Sequence, residues 1–171
     1  CALPIFREEL QKKQELMIAK ISKKKLPLTP EEYGKYYKIC DSLPFAFTDI
    51  EMVFNEEKKA VDWIFRYGNE ALATLEKLPL DKMIGNSFSS LFSNMDAKWL
   101  HVYERATLYG ETLEIMDYSP EIDTNLKIIC FPTFPGHCGC ILFNADKMKS
   151  ISEENHLVRL AAVALKSNPT I

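Results

Sequence analysis

The sequence predicts an α+β fold: a five-stranded antiparallel sheet with short helices on one face, plus flanking N- and C-terminal helices. Three observations predict it. Alternation with a period of two begins at Phe45 and returns after a polar turn, as in a hairpin. Short apolar-periodic helices and one longer helix follow, up to residue 109. Three strands joined by short turns then read as an antiparallel meander.

Length and composition bound the reading. The chain has 171 residues, a net charge of −3 and 47% hydrophobic residues, which suits one domain with a real core plus flanking helices. The weak negative charge offers no footprint for nucleic acid, and Lys23-Lys24-Lys25 reads as a solvated helix end. No apolar run approaches the ~20 residues of a membrane span. The opening residues lack the basic start and apolar stretch of a signal peptide. The five cysteines (Cys1, Cys40, Cys130, Cys138 and Cys140) have no framework spacing and suit reduced, buried thiols of a cytoplasmic protein. Because the chain opens on Cys1 and stops just after a helical pattern, it reads as a piece of a longer protein.

Each element has its own signal. Phe6, Leu10, Met17, Ile18 and Ile21 lie near one stripe and predict a helix over 6–25. Thr29-Pro30-Glu31-Glu32 combines an N-cap, a preset Pro and a capping box, so a second helix should run to about Ser42. Its Tyr33, Tyr36, Tyr37 and Cys40 are expected to pack in a core rather than face a partner. Strand one is predicted over 46–54 and strand two over 61–67, across the turn Asn55–Lys59. Trp63, Phe65 and Tyr67 should share one face of strand two, with Ile64 and Arg66 on the other.

Gly68 and Asn69 then break the extended pattern. Both tolerate positive φ, and the Asn69 side chain is expected to cap the helix carrying Ala71, Leu72 and Leu75. Phe88, Leu91 and Phe92 form a short helical patch. Asn94 or Asp96 caps a longer helix over 96–109, closed by Gly110 in a left-handed conformation. Strands are predicted over 112–118, 126–131 and 137–143, and Ser150-Ile151-Ser152-Glu153 starts a last helix over 151–166. That helix, with Leu157, Leu160, Ala161, Ala164 and Leu165 as its stripe, either packs on the domain or pairs with its copy in a dimer.

Over residues 45–146 this order resembles a PAS domain. The resemblance rests on Phe65-Arg66-Tyr67-Gly68-Asn69-Glu70-Ala71 at the strand-to-helix corner, Ile84-Gly85 after the short helices and Tyr109-Gly110-Glu111 at the helix-to-strand step. More narrowly, Trp99-Leu100, Tyr118-Ser119-Pro120-Glu121 and the run from Phe131-Pro132 to Cys138-Gly139-Cys140 are similar to PAS domains of bacterial multidomain signalling proteins. In those, GGDEF diguanylate cyclases, HD domains or histidine kinases follow the PAS domain. The resemblance covers a PAS-like domain at 45–146; the helical segment at 1–44 falls outside it, and the C-terminal helix at 147–171 is expected to lead to an output domain. The resemblance implies a sensory or interaction module that passes a ligand- or contact-dependent change to that output, as a homodimer through its flanking helices.

Cofactor-binding variants of the family differ from this chain at single positions. Flavin-binding members carry a Cys in the run after the short helices, whereas Gly85–Leu91 has none. Haem-binding members place an axial His where this chain has Trp99. His101 lies two residues on and is turned by about 200° around the helix, which argues against haem. His137, Cys138 and Cys140 lack zinc-site spacing and read as buried strand residues, so no metal is expected. No catalytic motif is visible, and no enzyme activity is expected of this piece. A sensing pocket would lie between the long helix and the inner face of the sheet, lined by Phe92, Trp99, Tyr103, Ile115, Ile128, Cys130 and Cys140. These residues either wall a site for a small, partly aromatic or apolar molecule or fill a ligand-free core. A ligand-free dimerisation domain and a small-molecule enzyme domain are the alternative readings.

Overall fold

The structure, a computed structural model, describes residues 8, 9, 12 and 26–147. The helix predicted over 6–25 lies outside them but for three residues, and the helix predicted over 151–166 lies outside them entirely. Among the described residues no helix is long and apolar enough to cross a membrane.

Helix α1 spans Pro30–Tyr36 and is followed by a 3-10 turn, Lys38–Cys40. Strands β1 (Ala46–Phe54) and β2 (Ala60–Gly68) form the hairpin. Helices α2 (Glu70–Glu76), α3 (Leu80–Met83), α4 (Phe88–Leu91) and α5 (Ala97–Tyr109) come next. Strands β3 (Leu113–Ser119), β4 (Thr124–Pro132) and β5 (His137–Asn144) complete the sheet. The sheet order is β2-β1-β5-β4-β3, and every neighbouring pair is antiparallel. This is an α+β fold, with a five-stranded antiparallel sheet and helices α2–α5 over one face, whereas the expectation of helices on one face alone is corrected by α1 on the other.

The helix ends follow the expected chemistry. Thr29 and Glu32 form a reciprocal capping box at the start of α1. Asp96 caps α5 through Lys98 N at 3.0 Å, and Gly110 closes it at φ +67°. Asn69 caps α2 by accepting from Leu72 N at 3.0 Å.

Alternation puts Ala46, Ile50 and Met52 of β1 against the helices, together with Trp63 and Phe65 of β2, Ile128 and Cys130 of β4, and Cys138, Cys140 and Leu142 of β5. Leu72, Met83, Phe88, Trp99, Tyr103 and Ala106 cover that inner face. The outer face is buried as well. Phe47 and Tyr67 pack there with Leu28, Tyr33, Tyr37 and Phe134 in a second apolar cluster, so the segment around α1 forms a cap across the sheet. Gly139 on this face leaves room for the Phe131 ring, which a Cβ would meet at 2.9 Å.

Two local expectations are corrected. Tyr67 does not share a face with Trp63 and Phe65. The register shifts between Asp49, opposite Tyr67, and Ile50, opposite Phe65, so β2 carries an extra residue at Arg66. Such a bulge inverts the alternation, and it turns Tyr67 to the outer face. Arg66 meets Glu51 there at 2.7 Å. The second helix also ends at Tyr36 and not near Ser42. Tyr37 leaves helical geometry at φ −98°, ψ 17°, while its hydroxyl donates to Asp49 and the Cys40 carbonyl accepts from Asn69 Nδ2 at 3.0 Å. These anchors on the sheet and the corner outweigh the helical propensity of residues 37–42. Tyr33 and Tyr37 are core residues as expected, whereas Tyr36 is 41% exposed.

A buried polar network joins cap to sheet. Asp49, fully buried, accepts from the Tyr37 hydroxyl and lies 2.8 Å from His137 Nδ1. Burial and the Asp49 carboxylate push the Tyr37 phenol far above its ordinary range. Tyr37→Phe deletes one donor and leaves a carboxylate oxygen unpaired where water cannot reach it. The expected loss is about 1–3 kcal/mol in urea unfolding, with the slope unchanged. A loss below ~0.5 kcal/mol would show that the hydroxyl does not hold the cap.

Candidate functional site

The site lies between α5 and the inner face of the sheet. Helix α5 points Trp99 and Tyr103, one turn apart, at the strands; both are buried. Trp63 of β2 stands against them, its ring 5.1 Å from Tyr103 in an edge arrangement and 4.2 Å from Phe88 of α4. Lys98, held by Asp96 and Asp117, places its ammonium 5.0 Å from the centre of the Trp99 ring.

These rings and the sheet enclose a cavity of about 20 Å³, room for one water molecule. Of the seven residues singled out in the sequence, Trp99, Tyr103, Ile128 and Cys140 line it. Three stand away from it. Phe92 is half-buried against Phe88, Ile115 is half-buried on the edge strand opposite Ile128, and Cys130 pairs across the ladder with Cys140.

Among the lining residues outside those seven, two are acidic, Glu76 and Glu121. Glu76 lies four residues after Leu72, so both side chains leave α2 on the same, buried face, at 6% and 0% exposure. That spacing is the sequence signal for its burial, beside the apolar stripe Ala71, Leu72 and Leu75. Burial first, and then the Glu121 charge, push the Glu76 carboxyl up to about 8. Glu76 is therefore an uncharged acid at neutral pH. Glu121 belongs to the turn signal Ser119-Pro120-Glu121, yet one of its carboxylate oxygens is buried and the residue lines the same cavity. Among the described residues, Glu76 Oε2, Glu121 Oε2 and Trp99 Nε1 have no hydrogen-bond partner.

The histidines and thiols are separated by the strand alternation. His137 faces the outer side with Asp49, while Cys138 and Cys140 face the inner core. Burial raises the Cys130 thiol to about 12 and the Cys140 thiol well above its ordinary value, so both stay neutral. Among the described residues no group of three or more His, Cys, Asp or Glu side chains is placed to hold a metal ion. His101 is exposed on α5, whereas Trp99 is buried against the cavity.

Asn69, two residues beyond Tyr67, is structural in every contact. It accepts from Phe47 N and Leu72 N, and donates to the carbonyls of Cys40 and Phe45, at 3.0–3.1 Å.

No protein-family model matches the chain, and no curated protein matches it. The chain is similar to the solved structure of an RNA-binding light-oxygen-voltage receptor, at 15% sequence identity and a TM-score of 0.40. The match covers 81% of this chain and 40% of that one, so the chain spans less than half of that structure's length.

Proposed function

We propose that this chain is a sensory or interaction module of the PAS type, from a bacterial signal-transduction protein, that relays a change at its inner cavity to an attached output domain. The observation that carries this reading is the two-sided sheet. Its inner face closes over a small cavity with unpartnered polar atoms, and its outer face is tied to the cap by Tyr37, Asp49 and His137. β1 and β5 belong to both: Thr48, Ile50 and Cys140 line the cavity, while Asp49 and His137 hold the cap. A shift of these strands reaches both faces at once, because packed cores repack between discrete arrangements. An output of the diguanylate cyclase, HD or histidine kinase class, read through a homodimer of the flanking helices, fits the resemblance. The module itself is proposed to be cytoplasmic and to work without haem, flavin or metal, and without nucleic acid as partner.

Hydrogen exchange tests the relay. Trp99→Phe, which reshapes the cavity wall alone, is expected to change amide protection in the cap, residues 28–43, as well as in α5. Altered protection confined to α5 and its inner-face contacts would defeat the reading and favour a ligand-free structural domain.

A further inference from the structure

A groove of about 550 Å³ opens at the end of the sheet, between α2 and the strand ends where β1 begins and β5 stops. Ala71 and Leu75 of α2 line it, with Phe45, Leu142 and Phe143 from the strand ends, and the two Phe rings lie 5.4 Å apart. Of these five only Leu142 is buried, so the groove keeps apolar surface open to a partner. Its charged lining has one sign. Lys77 and Lys147 are exposed there, and among the described residues no acid joins them.

The chain itself leads into this groove. β5 ends at Asn144, whose side chain accepts from Asp146 N and Lys147 N at 3.1 Å, and residues 145–147 are helical. Asn144 thus acts as an N-cap, and the backbone already turns as a helix where Lys147 lines the groove. Leu157 lies ten residues beyond Lys147, a reach of about 15 Å as helix and about 35 Å extended. It opens the apolar stripe Leu157, Leu160, Ala161, Ala164 and Leu165. Glu153 and Glu154 precede it by four and three residues, so a helix presents both on the stripe's own face, one turn earlier. An apolar face led by two carboxylates complements an apolar groove flanked by two lysines.

We propose that residues 151–166 dock as an amphipathic helix in this groove of their own domain. The stripe lies against Leu75, Phe45 and Phe143, and Glu153 and Glu154 lie beside Lys147 and Lys77. A tether this short holds the segment at an effective concentration on the order of millimolar, which favours it over the same segment of another molecule. Docked, the stripe is closed to a second copy, so a dimer of docked chains pairs through the N-terminal flanking segment. Docking does not depend on the sensory reading above.

Hydrogen exchange on the full chain tests the docking from both sides. Thr74 is exposed on α2 and lines the groove, so Thr74→Trp fills the groove without removing a core contact. It is expected to lower amide protection over residues 155–165 about tenfold or more, the scale of one leucine displaced from its site. Leu160→Asp should do the same and should also speed exchange in α2, whereas Arg159→Asp, on the opposite face of the helix, should change neither. The proposal is overturned if residues 155–165 are unprotected in the unaltered chain, if Thr74→Trp leaves them protected, or if Leu160→Asp leaves α2 unchanged. An equal response to Arg159→Asp also defeats it, because docking through the stripe spares that position. So does protection over 155–165 that falls on dilution, because the stripe then pairs with a second copy. The exchange test of the relay reads the cap at residues 28–43, so either result stands without the other.

Discussion

Asn69→Ala is expected to remove about 4 kcal/mol of stability, close to the whole margin of a small domain. The side chain is 2% exposed and makes four hydrogen bonds to three separate stretches of backbone. Losing the helix cap alone costs about 1 kcal/mol. The remainder comes from Phe47 N and the carbonyls of Cys40 and Phe45, each left unpaired in a place closed to water, at about 1–3 kcal/mol per group before relaxation. Asn69→Asp separates the two roles. Aspartate caps as well as asparagine, so a purely capping residue would tolerate the change. Here the two carbonyls lose their donor and meet a carboxylate instead, so Asn69→Asp should cost at least half as much as the alanine variant. A neutral Asn69→Asp in equilibrium unfolding would reduce the corner to a cap.

Glu76→Gln is expected to stabilise the fold, and to do so only above mildly acidic pH. The folded-state pKa of Glu76, about 8, lies above its ordinary 4.5, so between those values the folded chain holds a proton that the unfolded chain has released. Stability is therefore full below pH ~4.5, falls as pH rises towards 8, and is flat beyond. At pH 7 the penalty is on the order of 3 kcal/mol, and glutamine of the same shape avoids it. Glu121 supplies the opposing charge. The neighbouring Tyr103 and Cys140 have pKa values raised by burial, which keeps them neutral across this window. Urea unfolding from pH 4 to 8.5 should show the two proteins equal at the acid end and separated by about 3 kcal/mol at pH 7. Parallel curves would mean that Glu76 ionises freely in the folded state.

The elements with complete local chemistry were legible before the structure. The capping box at Thr29 and Glu32, the Asn69 cap, the Gly110 stop and the period-two strands each depend on residues within a turn of one another. Their order was enough for an antiparallel five-stranded α+β fold. The candidate site was legible in part, because α5 has one inward face and Trp99 and Tyr103 had to share it.

The kind and order of the elements, and the residues that end them, follow from the chain's local chemistry, since they rest on short-range sterics and hydrogen bonds. Tertiary structure alone decided the rest. It turned Tyr67 to the outer face through a bulge set by pairing with β1, and it stopped α1 early so that Tyr37 could reach Asp49. It also carried Glu76 and Glu121 from separate parts of the chain to the same cavity as Trp99. A charged residue reads as solvated until something across the fold covers it, and here what covers it belongs to the other half of the domain.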